Sequence, residues 1–340
     1  AGAVVIGEVT GEQIYRIASG GAVVCDAPVD VITTGIAYDR AKRPRRQLFE
    51  EPGIESGRDL HDDFMAVISS PNIASKNLVF RHYDSEVRGR AILRPGEADA
   101  GVIAPIPGNM TGLAFSVEGN PFYGKIDPYL GGALAVCEAA RNVAAVGAVP
   151  STITDCLNYG NPEVEEVFWE FSEGVRGIGD ACRGIGLLSH EGHPIPVVSG
   201  NVSFYNQGES GRAIPPSPII ACVGVVEDYS KSRSIRFKDD GNVLYLLGER
   251  RDELGGSEYY RTILDALGVN VPKADFSGER MLIATVIEMH RLGWIKSCHD
   301  IGQGGLLTAI AEMALGGNGD GRLGVTVGLD EFSDSGLGSV

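Results

Sequence analysis

The chain has 340 residues, 43% of them hydrophobic, with 29 basic and 45 acidic side chains and a net charge of −16. That length supports two cores, and the acidic balance argues against nucleic acid as a partner. No apolar run reaches membrane-spanning length and AGAVVIGEVTG has no basic leader or cleavage pattern, so the expectation is a cytoplasmic protein that needs no membrane. The six cysteines, Cys25, Cys137, Cys156, Cys182, Cys222 and Cys298, lack the two-to-four-residue spacing of a zinc knuckle and read as reduced thiols.

Residues 1–40 contain the apolar stretches AVVIGEVTG, EQIYRIAS and GGAVVCDAP, which predict short strands, with Val4, Val5 and Ile6 buried in a sheet. They resemble the trailing edge of a domain, so the chain reads as a piece of something longer. Residues 41–58 are charged and hold Pro and Gly, the composition of a linker.

Residues 59–228 then form a second unit. LVFRHYDSEV and TGLAFSVEG alternate like strands. GGALAVCEAARNVAAVGA carries small and apolar residues at helical spacing, and VPSTITDC reads as a strand. Asn161-Pro162 is a helix-start pair, and Val164, Val167, Phe168, Phe171, Val175, Ile178, Cys182 and Ile185 give the stripe that this helix should bury. Strands are predicted at 195–199 and 218–226. Residues 229–340 open with NVLYLLG, read as a strand. SEYYRTILDALG and ERMLIATVIEMHRLGW follow as helices, IKSC as a short strand, HDIGQGG as a Gly-rich loop and LLTAIAEMALGG as a helix.

Four polar clusters fall at strand or helix ends: Asp127 in KIDPYLGG, Asp155 with Asn158 in TDCLNYGNPE, Gly200-Asn201 with Ser203 in VVSGNVSFYN, and His299-Asp300 in HDIGQGG. Taken singly, each has an ordinary reading as a cap or a turn. As a set they suit one task. Carboxylates and an amide oxygen are hard ligands for Mg²⁺. A glycine lets a nucleotide approach the backbone, and a hydroxyl can meet a second anion. These are the parts of phosphoryl transfer, in which positioning and Mg²⁺ carry most of the catalysis. His190 and His193 in SHEGHP, with one Glu, form an incomplete metal set.

KIDPYLGGALAVCEAARNVAAVGAVPSTITDCLNYGNPE, PVVSGNVSFYN, AIPPSPIIACVGVVED, HDIGQGGLLTAIAEMA and SSPNIASKNLVFRHYD together resemble the phosphoribosylformylglycinamidine synthase family of purine biosynthesis, over nearly the whole chain. The resemblance implies an α+β fold. A half-barrel, ferredoxin-like ATP-binding domain would be followed by a truncated α/β sandwich domain of the aminoimidazole ribonucleotide synthetase-like superfamily. It implies four segments: 1–40 as the tail of a first-half C-terminal domain, 41–58 as linker, 59–228 as the second-half N-terminal domain, and 229–340 as the second-half C-terminal domain.

By the same resemblance, Asp155 and Gly200 would contact ATP, Asn201 would bind Mg²⁺, and Ser203 would contact formylglycinamide ribonucleotide. His299 and Asp300 would mark a pseudo-site. The implied reaction activates the formylglycinamide oxygen as an iminophosphate with ATP. Ammonia from a glutaminase subunit or domain then displaces phosphate. The family's E-V-x-S-H-N-H-P-S motif, which holds its catalytic His, and its E-S-Q substrate motif are absent here. A missing first half is therefore an expected partner, and the chain alone is expected to be inactive. Two other readings remain: an aminoimidazole ribonucleotide synthetase-like synthetase or kinase, and a nucleotide-binding half that only scaffolds a complex.

Overall fold

The computed structural model describes residues 2–35, 37–317, 319 and 321–328. The chain divides into two units, Ala1–Ala41 and Lys42–Val340.

In the smaller unit, β1 (Ile14–Ser19) and β2 (Ala22–Pro28) form an antiparallel hairpin that leads into α1 (Val29–Thr34). The turn is Gly20-Gly21, with φ +58° and +82°; a two-residue hairpin turn of this kind favours two residues in the left-handed region. The expected strand over AVVIGEVTG is not formed, and Val4, Val5 and Ile6 are exposed instead of buried. The hairpin ladder begins only at Ile14, and Gly7 and Gly11 interrupt the apolar pattern that precedes it.

The larger unit contains α2 (Leu60–Ile68), α3 (Asn77–Phe80), β3 (Ala91–Leu93), β4 (Gly101–Ile103), β5 (Gly112–Glu118), α4 (Pro121–Ile126), α5 (Pro128–Ala145) and β6 (Val149–Asn158). It continues with α6 (Glu165–Ile185), β7 (Val197–Ser203), β8 (Ser217–Val226), α7 (Glu258–Leu264), α8 (Phe276–Arg291) and α9 (Gly305–Leu315). The six strands form one sheet in the order β3-β4-β5-β8-β6-β7. All neighbours are antiparallel except β6 and β7, which are parallel and joined through α6. A parallel neighbour needs such a crossover.

Alternation along the strands gives the sheet two unlike faces. Ala114, Ser116, Ile153, Ile220 and Cys222 are buried on one face, where Val136, Ala140 and Val143 of α5 join the core. The other face leaves Phe115 40% and Val117 64% exposed. The helices α5 and α6 cross closely because the crossing is lined by glycine: a Cβ on Gly132 would lie 2.2 Å from the Gly174 carbonyl oxygen. Ile283 and Ile287 of α8 complete the same core.

At the end of α8, buried His290 faces the Ala145 carbonyl at 3.0 Å. Burial lowers its pKa, so it is neutral in the fold. The unfolded chain takes up this proton below about pH 6.5 and the folded chain resists doing so. Stability should therefore be full above that pH and fall as pH drops below it. Each pH unit of that fall is worth at most about 1.4 kcal/mol. Urea midpoints at pH 7.5 and 5.5 should show the loss in the wild type and a smaller one in His290→Gln; equal losses would contradict this role.

Several local readings change. Asn161 does not cap a helix at Pro162: its Oδ1 accepts from the Glu163 amide at 2.9 Å, making a turn, and α6 begins at Glu165. Ile178, Cys182 and Ile185 are buried as the stripe requires, but Val164 and Val175 are exposed. LVFRHYDSEV forms α3 and turns. NVLYLLG and IKSC pair with no strand among the described residues. An apolar pattern becomes a strand only where a neighbour supplies the ladder.

Residues 42–58 have no regular structure but are tied down at several points. Arg43 reaches Glu166 at 2.7 Å, and Arg45 pairs with buried Glu170. Glu51 accepts from the amides of Val269 and Asn270 at 2.8 and 3.1 Å and from the Tyr260 hydroxyl at 2.8 Å. Arg58 grips Asp63 with two bonds of 2.7 Å.

Candidate nucleotide and metal sites

The parallel register of β6 and β7 sets Asp155 beside Gly200, Cys156 beside Asn201, Leu157 beside Val202 and Asn158 beside Ser203. Asp155 lies between Ile153 and Leu157 in the alternation, so it belongs to the helix-packed face. Burial raises its pKa above the ordinary carboxylate value, and no hydrogen bond or ion pair engages its carboxylate among the described residues. Gly200 sits on the same side. A Cβ there would lie 2.1 Å from Asp155 Oδ1. That contact explains the glycine at this position, because it leaves room for a carboxylate.

Asn201 and Ser203 occupy the opposite face, with Asn158 in the same cross-strand row as Ser203. The sequence clusters around Asp155 and Asn201 therefore meet, but from two sides of the sheet. Gly200, Asn201 and Ser203 all belong to β7, the edge strand, while Asp155 lies one strand in, on β6. The end of β7 is held firmly. Ser203 O accepts from the Tyr159 amide at 3.0 Å and from Asn206 Nδ2 at 2.7 Å. Phe204 packs edge-on against Phe171, 5.0 Å between centroids, and Tyr205 turns the chain with φ 61°. Asp127, by contrast, is a helix cap: its Oδ1 accepts from the Leu130 amide at 3.0 Å.

A second polar centre surrounds His299 and Asp300. Asp99, His299 and Asp300 bring ligand atoms within 4.8 Å of one another. His299 Nδ1 is 2.6 Å from Asp99 Oδ1, and its Nε2 is 2.9 Å from Glu312 Oε2. Burial lowers the His299 pKa, but the hydrogen bonds to Asp99 and Glu312 outweigh it and raise the value to about 10. Both ring nitrogens thus face carboxylate oxygens. Burial, with the charge of Asp99, pushes Asp300 up to about 7 against the pull of Arg141. Burial and nearby Glu138 push Glu118 up to about 8. Arg141 bonds Glu279 at 2.6 Å and lies 3.7 Å from Asp300. Asp300 Oδ2, Glu279 Oε2 and Asn142 Oδ1 are buried with no hydrogen-bond partner. Unpartnered buried acceptors beside several carboxylates suit a hard cation.

Sequence reasoning found His299 and Asp300 but missed Asp99, Glu118, Glu138, Arg141, Asn142, Glu279 and Glu312. One signal was available: Glu138, Arg141 and Asn142 interrupt the otherwise small and apolar sequence of α5.

Residues 97–226 match the N-terminal domain of AIR synthase related protein, and residues 239–334 match its C-terminal domain. With both domains matched and the mixed α/β fold described above, the chain belongs to the AIR synthase related proteins. More particularly, it is similar to phosphoribosylformylglycinamidine synthase subunit PurL. The relative from Methanothrix thermoacetophila is 50% identical over 311 residues, covering 92% of this chain and 40% of that protein. That from Streptomyces avermitilis is 40% identical over 341 residues, covering 97% and 44%. The solved structure of T. maritima PurL complexed with FGAR matches with a TM-score of 0.52 at 21% identity, over 88% of this chain and 40% of that one, a likeness of fold. The chain therefore spans less than half the length of the curated relatives it matches. No helix among the described residues is long and apolar enough to cross a membrane.

Proposed function

We propose that this chain supplies the second-half nucleotide site of a cytoplasmic synthetase that converts formylglycinamide ribonucleotide to its amidine with ATP and glutamine-derived ammonia. The observation that carries this reading is the β6–β7 register, which sets unpaired Asp155 beside Gly200 on one face and places Asn201 and Ser203 next along β7 on the other. Similarity to PurL over 92% of the chain supports it.

In this reading Asp155 and Gly200 border ATP. The Asn201 amide oxygen, a hard donor on an exposed strand, fits Mg²⁺, which would neutralise phosphate charge when bound. Ser203 contacts the ribonucleotide. Asp99 and Asp300 fit a further cation at the pseudo-site, with His299 and Arg141 offsetting part of the surrounding negative charge. A complementary first half would cover the open sheet face and bring the catalytic His, and a glutaminase would deliver ammonia.

Equilibrium dialysis with ATP tests the nucleotide site. Binding should require Mg²⁺ and should fall at least tenfold in Gly200→Ala, whose new methyl group displaces the Asp155 carboxylate. Binding unchanged by that substitution would overturn the assignment of Asp155 and Gly200.

A further inference from the structure

We infer that Asn158 is a further substrate-contact residue, presenting its amide oxygen to an N–H or O–H donor of the ribonucleotide held at Ser203; this rests on the functional reading above. A primary amide has two N–H donors and one oxygen acceptor. Both donors of Asn158 have backbone acceptors: Nδ2 lies 3.0 Å from Cys156 O in its own strand and 3.2 Å from Ser217 O in β8. This double donation fixes which way the amide faces. The oxygen accepts from no group among the described residues, although the side chain is half-buried.

The position of that oxygen gives it a use. Asn158 stands in cross-strand register with Ser203 on one side and Ser217 on the other. Register partners share a face, so Asn158 lies on the side that carries Ser203 and Asn201. Ser217 directs its own hydroxyl to Pro215 O at 2.7 Å and does not compete. The row thus offers a hydroxyl and, next to it, an oriented acceptor. Formylglycinamide ribonucleotide carries both amide N–H and ribose O–H donors. ATP has such donors too, but it is assigned to Asp155 and Gly200, which lie on the opposite face from Asn158, so the Asn158 oxygen serves the ribonucleotide.

The test uses the synthetase complex of this chain with its complementary half. In Asn158→Ala, loss of one oriented hydrogen bond should raise KM for formylglycinamide ribonucleotide about tenfold. KM for ATP should stay within twofold. A purely structural role would move both constants and the thermal midpoint together, and that result would overturn the inference, as would an unchanged ribonucleotide KM. Should Asn158→Ala fail to fold, Asn158→Ser keeps one donor for the strand carbonyls, lacks the amide oxygen, and should give the same split. Loss of ribonucleotide affinity in Ser203→Ala with none in the Asn158 variants sinks this inference alone. A wild-type complex that neither binds nor turns over the ribonucleotide sinks the functional reading as well.

Discussion

Asn201→Ala is expected to lower ATP-dependent amidine formation about 100-fold in the synthetase complex, comparable to removing one electrostatic stabiliser from a transition state. Asn201 is exposed on the edge strand β7, and no side-chain hydrogen bond holds it among the described residues. Its loss should therefore cost little stability, and the thermal midpoint should shift by no more than about 2 °C. The two readouts separate a ligand from a structural residue. Raising Mg²⁺ should recover part of the rate, because the phosphate oxygens of ATP still hold the cation weakly. A rate equal to wild type at every Mg²⁺ concentration would show that the amide oxygen is no ligand.

The strand end was legible in the sequence because its signals are local. Gly200, Asn201 and Ser203 lie within one short run, and the period of two places the last two on a common face. Their relation to Asp155 was not legible. It depends on a parallel register across a helical crossover, which no local pattern states. The reason for Gly200 was hidden for the same cause, since the atom it makes room for comes from another strand.

The acidic centre was harder still. Asp99 comes from the segment before β4, Glu138 and Arg141 from α5, Glu279 from α8, and Glu312 from α9. Only the assembled fold brings them together. NVLYLLG shows the opposite failure. Its apolar run was legible as a strand, but a strand also needs an edge to pair with, and the described residues provide none in register.

The chain by itself is expected to form no amidine from ATP, formylglycinamide ribonucleotide and ammonia, while still binding ATP with Mg²⁺. Positioning a nucleotide does not suffice for the reaction. The amide oxygen must be phosphorylated, and a group must then manage the proton as ammonia attacks. The sequence lacks the motif that, by its resemblance, holds the family's catalytic His. The fold gives a second reason. One face of the sheet leaves Phe115 and Val117 exposed, and the edge strand β7 leaves Val197, Val198 and Val202 exposed as well. A substrate at Ser203 would lie at an edge open to water, where electrostatic interactions are weak and a reactive phosphorylated amide would hydrolyse. Covering that face with a complementary half would exclude water and supply the missing His together. Mixing the chain with such a half should raise amidine formation from background to a readily measured rate, and a His→Ala change in the added half should abolish the gain. Amidine formation by the chain alone, in proportion to its concentration, would place the catalytic group within these 340 residues and overturn the two-half reading.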